Sequence, residues 1–468
     1  MKARQAGIEW QIGRLGGLLA LCFLGIALGL GYWGLIRAPA LVARDDNPRR
    51  IEAERRVRRG NILDRSGRPL ALSERGPLGV WERVYPAPEI APVVGYYSID
   101  HGTGGVEAAY DASIRGAQPS SAAARFQADL LHLHTAGVSV TLTIDLDLQL
   151  AASHALGDRA GAVVVLDVQH GDILALVSHP TFDPNTLEED WPLLQFSPTN
   201  PMLNRAVQGL YPPGQVFQTV TLAAALEAGL AEPTTVFTDE IGVVLDVDPP
   251  ISCAQDPPKT NFTMSDAYMW PCTVLFARLG LELGGEHLAD YATRLGIGRP
   301  VDLPLEAAAG QFVERGMWSE LLAARAAMGQ GEVLVTPLEM ALATATLAND
   351  GVRPVPRLVR LVGQTVVPAT AEPRQVLRVE VAREVQAVMA RAFTLGVPQA
   401  DHNIAGRAGS ANSGLPGAPP HAWFIGFAPA DGPRYVIAVI VEHGRDGWAV
   451  AEPVAVQVLV QAMSGEYP

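Results

Sequence analysis

Three cysteines in 468 residues, no repeat at a fixed period and no extended basic cluster remove several classes of protein at once. No CxxC or Cys/His spacing is present, and His132-Leu-His134 alternates as a strand would, so neither a zinc site nor any other metal site is expected. No cofactor is expected either. Lysine and arginine form no group of five or six outside a short stretch near residue 55, and the formal net charge is −14. A polyanion such as nucleic acid is therefore not an expected partner. Without internal repeats a solenoid is excluded. Charged residues make up only 18% of the chain against 48% hydrophobic, a balance that builds large cores rather than disorder. The length allows two or three domains with accessory segments.

What the sequence does contain begins with Leu15 to Ile36, 22 residues without a charge. At about 1.5 Å of rise per residue such a helix reaches roughly 33 Å, enough to cross a bilayer core. Tyr32 and Trp33 stand near one end, where interfacial aromatics belong. The small residues Ala38-Pro39-Ala40 suit a cleaved signal peptide, but its apolar region normally runs only about 7–15 residues, so an uncleaved anchor is the expectation. Basic residues flank both ends (Lys2, Arg4 and Arg14 before, Arg37, Arg44, Arg49 and Arg50 after), so charge alone does not orient the span. Gly25-x-x-x-Gly29 would allow close packing on another membrane helix, though glycine is common in such helices.

Cys22 lies within the span. Cys253 and Cys272 are spaced so that a disulfide could close a short loop in an oxidising exterior, and two unpaired buried thiols fit equally well. Between Arg44 and Arg59 a Glu/Arg mixture at helical spacing predicts a solvated helix. Residues 72 to about 135 mix short apolar runs with glycine and proline, as in an elongated non-catalytic domain. From Gly137 the pattern changes. Val138 to Ile144 alternates as a strand, and Asp145 to Leu156 reads as a helix with an acidic cap. Ala162–Val168 and Ile173–Ser178 predict a hairpin, and helices dominate from about Val216 to Leu347. Ala422–Phe427 and Arg434–Glu442 predict strands before a closing helix over Pro453–Met463. This order gives an α+β layer fold.

Several stretches, in order, resemble the class B penicillin-binding proteins over nearly the whole chain. Arg59 to Ala71 is similar to the family's RGxIxDRxGxxLA, and Gly102 to Gly116 to its GxxGxExxYDxxLxG. Val140–Gln149 and Gly161–Asn185 resemble the TxDxxLQ and GAxVVLDxxxGxxLAxxSxPxFDPN segments. Asn204-Arg205-Ala206, Tyr211 to Gly214, Met328 to Gly331, Thr336 to Ala341 and Ala422 to Pro429 follow in family order. The resemblance implies a serine β-lactamase-like transpeptidase domain with an antiparallel sheet and a helical subdomain. The implied layout is a cytoplasmic tail (1–14), a transmembrane anchor (15–36), an N-terminal pedestal or dimerisation-like domain (37–136) and a penicillin-binding domain (137–468). It further implies a bacterial cell membrane protein, single-pass, with the bulk of the chain extracytoplasmic.

The chemistry of that family requires S-x-x-K, because residues i and i+3 share a helix face and the amine takes the hydroxyl proton. Directly after Tyr211-Pro-Pro-Gly214 this chain reads Gln215-Val216-Phe217-Gln218, and a carboxamide is neither nucleophile nor useful base. The S-x-N motif, aligned on Phe276-Ala277, falls on Pro271-Cys272-Thr273. K-T-G falls on Arg407-Ala408-Gly409 of an edge strand. Arg407 keeps a charge suited to a peptide or β-lactam carboxylate, and Gly409 lets a ligand backbone approach. Backbone N–H groups at Gln215 and Ser410 correspond to the family's oxyanion hole, so Arg407, Gly409 and Ser410 are the candidate ligand-binding residues. Thr219, Thr221, Cys272 and Ser410 are the substitute nucleophiles to consider, yet none has Lys or His at i+3 or i+4.

The expected function is accordingly a pseudo-transpeptidase of cell-wall synthesis or division, acting on a membrane-embedded peptidoglycan polymerase through its anchor and N-terminal domain. Two alternatives stand beside it. One is an active D,D-transpeptidase with unconventional residues, and the other a sensor that holds a stem peptide or β-lactam without acylation.

Overall fold

The computed structural model describes residues 2–37, 57–76, 79–116, 137–238, 251, 261–270, 273–396 and 403–465. Pro271, Cys253 and Cys272, and with them the disulfide question, lie outside the described residues, as does most of the stretch from Arg44 to Arg59. Two compact units are distinguished: residues 1–58 with 75–82, and residues 59–74 with 83–468.

In the first unit, helix α1 (Lys2–Gly31) runs into a π-helical turn over Tyr32–Arg37. It begins well before the apolar stretch, and the part apolar enough to span a membrane is Gly13–Gly34, with mean hydropathy 2.0. Leu18, Leu21, Phe23, Leu24, Ile26 and Leu28 are all exposed, so the helix is apolar on every side and buries none of them within the protein. Water is a poor solvent for such a surface and a bilayer a good one.

The second unit is built around a five-stranded antiparallel sheet. Its strands are β4 (Gly161–Asp167), β5 (Ile173–His179), β7 (Ala405–Ala411), β8 (His421–Ala428) and β9 (Tyr435–Val441), in the order β7-β8-β9-β4-β5. The expected hairpin of residues 162–178 is present as the β4–β5 pair, with Ala162 opposite Ser178. β4 and β9 show no polar alternation because both faces are covered. Ala162, Val164 and Leu166, with Val436, Ala438 and Ile440, enter one core. Val163 and Val165, with Ile437, Val439 and Val441, enter the other. Helices α2 (Leu146–Leu156) and α9 (Glu452–Ser464) cover the second face, and Asp145 caps α2 as its sequence suggested, accepting from the Leu148 amide. The opposite face carries α7 (Pro337–Ala348), buried along its whole length, and beside it α8 (Val379–Gly396).

A second sheet joins the start of the unit to its middle. Strand β1 (Ile62–Leu63) pairs antiparallel with β2 (Pro69–Arg75) and parallel with β3 (Val140–Leu142), and β3 pairs antiparallel with β6 (Val359–Val362). Beside it lies a buried charge cluster. Arg59 and Arg83 both donate to the carboxylate of Glu107, Arg59 also reaches Asp111, and the Arg59 guanidinium stacks over Tyr97. Arg59, assigned to the end of a solvated helix, is instead non-helical and buried, because its charge is met by those carboxylates.

Candidate functional site

The segment Tyr211–Gly214 is clamped from three sides. Tyr211 donates its phenol proton to Glu442 at 2.7 Å, and Arg205 donates to the same carboxylate oxygen at 2.8 Å. Trp423 on β8 donates its indole N–H to the Pro212 carbonyl. Gly214, at φ +56°, donates to the Gly329 carbonyl in the Met328–Gly331 turn. A single 3₁₀ turn (Gly214–Phe217) then leads into helix α3 (Gln218–Glu227).

Edge strand β7 lies directly against this turn. A side chain at Gly409 would place its Cβ 2.8 Å from that of Gln215, so only glycine permits the approach. On the same side of β7, two residues away, Arg407 donates at 2.9 Å to the side-chain oxygen of Gln218. Both are nearly sealed, at 3% and 1% exposure. The guanidinium sits between aromatic faces, 4.7 Å from the Tyr268 ring centre and 5.9 Å from that of Trp448. Burial pulls the Arg407 pKa downward, partly offset by Tyr268, and no carboxylate pairs with it among the described residues. Burial likewise pushes the Tyr268 phenol up to about 12, against the opposing pull of Arg407 and of Thr219. Gln215 is half-buried, and its side-chain oxygen lies 3.4 Å from the Ser410 amide, a long contact. Ala408 points the other way, into the core beneath the sheet.

The structure thus brings together Gln215, Gln218, Arg407, Gly409 and Ser410, which sequence placed in two separate motifs. Thr273 stands at the start of α5 (Val274–Leu283), which packs against α3. Helix α4 (Met264–Met269), opened by the reciprocal cap of Thr263 and Asp266, delivers Tyr268. Tyr268 and Trp448 were missed in the sequence. Tyr268 lies three residues before the Pro271-Cys272-Thr273 segment, and Trp448 follows Asp446, which caps its turn through the Trp448 amide.

Two of the substitute nucleophiles are committed elsewhere. The Thr219 hydroxyl is buried and shares a 2.7 Å hydrogen bond with the Tyr268 phenol, and Thr221 donates to the Ala327 carbonyl at 2.8 Å. Ser410 is half-buried on its strand, and Cys272 lies outside the described residues. Lysine occurs in this chain only at Lys2 and Lys259, which a residue count would have revealed from the sequence.

This arrangement, an edge strand laid against the first turn of a buried helix, matches known proteins. Residues 161–460 match the penicillin binding protein transpeptidase domain. The chain belongs to the penicillin-binding protein family. Residues 59–140 match the penicillin binding protein A dimerisation domain. Among curated relatives, the peptidoglycan D,D-transpeptidase PbpA of Mycolicibacterium smegmatis is 33% identical over 421 residues, covering 81% of this chain and 84% of that one. PbpA of Mycobacterium tuberculosis is 32% identical over 430 residues, covering 82% and 84%. The solved penicillin G acyl-enzyme complex of penicillin-binding protein A from M. tuberculosis superposes with a TM-score of 0.79 at 31% identity, covering 87% of this chain and all of that one. With its N-terminal helix, this penicillin-binding protein homologue of cell-wall synthesis is a single-pass membrane protein.

Proposed function

We propose that this chain is a catalytically inactive transpeptidase homologue that scaffolds or regulates a membrane-embedded peptidoglycan polymerase, with its bulk outside the cytoplasm. One observation carries the reading. By the order of the family's motifs in the sequence, Gln215 and Gln218 take the places of its nucleophile and base, and Gln218 is locked to Arg407 in a buried hydrogen bond. Acyl transfer needs a hydroxyl or thiol and a group to accept its proton, and a carboxamide supplies neither. No lysine lies among the described residues of this cleft.

The sensor alternative draws little from the geometry, since Arg407, the cation a carboxylate would seek, is buried and one of its amino groups already meets Gln218. Family matches to a dimerisation domain over residues 59–140, together with the membrane helix, support contact with a partner through the N-terminal part of the chain.

Intact-protein mass spectrometry after incubation with benzylpenicillin tests the central claim. The natural protein should gain no mass. A stoichiometric adduct would return it to the active transpeptidases. Co-purification in detergent with the cognate polymerase tests the partner, and failure of the two to associate would remove the scaffold role.

A further inference from the structure

Several arginines of this protein find a carboxylate. Arg59, Arg83, Arg205, Arg357 and Arg383 all do. Four arginines at one place do not. Arg294, Arg299, Arg353 and Arg374 line a pocket of about 420 Å³ together with Asp290, Thr293, Gln375 and Val376. None of the four forms an ion pair among the described residues. Asp290, the carboxylate at this pocket, is drawn to Arg315 at 3.1 Å. Asp350, three residues before Arg353, is held by Arg383 at 2.8 Å.

The fold forces these charges together. Arg294 ends helix α6 (Gly285–Leu295), where a cation suits the helix dipole, and its guanidinium lies 4.7 Å from the Tyr291 ring centre. Gly296 and Gly298, both at positive φ, turn the chain so that Arg299 follows on the same rim. Across from them the short strands Val352–Arg353 and Arg374–Gln375 pair antiparallel with Arg353 directly opposite Arg374. Like charges in directly opposed positions destabilise a strand pair. Arg353 is half-buried, donates to the Arg294 carbonyl at 3.1 Å, and has its pKa pulled down first by burial and then by Arg299 and Arg374. A chain with a net charge of −14 has carboxylates to spare, and of them Asp290 alone lines this pocket among the described residues.

We propose that this pocket binds a compact phosphate-bearing anion of at least two negative charges, either free in solution or as a lipid headgroup. Planar guanidinium forks bind tetrahedral oxyanions through paired hydrogen bonds, and four of them around one concavity suit a diphosphate better than a single carboxylate. The pocket shares no residue with the vestigial cleft, so the proposal stands whether or not that cleft is inactive.

Inorganic pyrophosphate titrated calorimetrically into the full-length protein, in neutral detergent at low salt, provides the test. Saturable binding is expected, weakening as salt is raised. Each of Arg353→Gln and Arg374→Gln should lower affinity by roughly tenfold, the loss of one charge-assisted contact. Without the probe, Arg374→Gln should melt no lower than the natural protein, because it relieves an opposed pair of like charges. The same titration in phospholipid discs separates the sources. Weaker pyrophosphate binding in discs containing phosphatidic acid than in pure phosphatidylcholine supports the headgroup form, and equal binding supports the free anion. Absence of saturable binding up to millimolar pyrophosphate, or binding that neither variant weakens, would overturn the proposal.

Discussion

Arg407 on the edge strand and Gln218 at the start of helix α3 are joined by a 2.9 Å hydrogen bond between residues far apart in the chain. The bond leaves a buried cation facing a neutral acceptor and two aromatic rings, without a counter-charge and with its Nε unpartnered among the described residues. Removing the acceptor by Gln218→Leu should cost about 2 kcal/mol, the value of a hydrogen bond to a charged group. Gln218→Glu should stabilise, since it supplies the missing anion at the same reach. Melting of both variants decides it. An unchanged Gln218→Leu protein would mean that the guanidinium finds another partner.

Placing a lysine at position 218, as the proposed reading of the motif suggests, meets the same guanidinium. Gln218→Lys would place an ammonium against Arg407 in a buried site, where burial and like charge both depress its pKa. The unfolded chain then binds the proton more readily than the folded one, so stability is lowest well below a pH of about 10 and recovers as the amine loses its proton. Thermal melting of this variant at pH 7 and pH 10 should show a deficit that narrows at the higher pH. With Gln215→Ser added, the depressed lysine is a competent base. A benzylpenicillin adduct on the double variant alone would show that the cleft retains its shape.

The charge cluster around Glu107 is a second buried device. Glu107 is fully enclosed and receives both Arg59 and Arg83. Glu107→Gln leaves two guanidiniums with a neutral partner and should destabilise by about 3 kcal/mol. Limited proteolysis should detect this as earlier cleavage within residues 59–116. A variant with natural protease resistance would mean that Asp111 alone holds the cluster.

Glu452, at the start of α9, has its carboxyl pushed up to about 7, first by burial and then by Asp446. Its contribution to stability is full below the unfolded value near 4.5 and is lost as pH rises through about 7. A carboxamide at this position does not titrate, so Glu452→Gln should match the natural protein near pH 4 and melt a few degrees higher above pH 7. Equal melting at both pH values would show that the carboxyl ionises freely in the folded state.

Much of the fold was legible because its elements carry local marks. Asp145 at a cap, the β4–β5 hairpin and the apolar runs of β8 and β9 all stand where their residues placed them. The cleft was half legible. Sequence order located Gln215 and Arg407 through their flanks, but it gave no hint that Arg407 would turn onto Gln218, since that contact depends on strand register and on Tyr268 and Trp448 beside it. Arg59 misled for the opposite reason. A charged residue among charged neighbours looks solvated until the distant Glu107 and Asp111 are folded against it.

The pairing of β4 with β9 sets Gly161 opposite Val441. Helix α9, whose Val454, Val458 and Leu459 seal the core beneath that sheet, comes later still. A chain emerging from the ribosome therefore holds the edge of β4 unpaired until residue 441 has been made, and the face beneath it is covered by α2 alone until α9 follows. A stop codon between β9 and α9 would leave the five strands able to pair but Val163, Val165 and Val439 short of the helix that seals their side of the sheet.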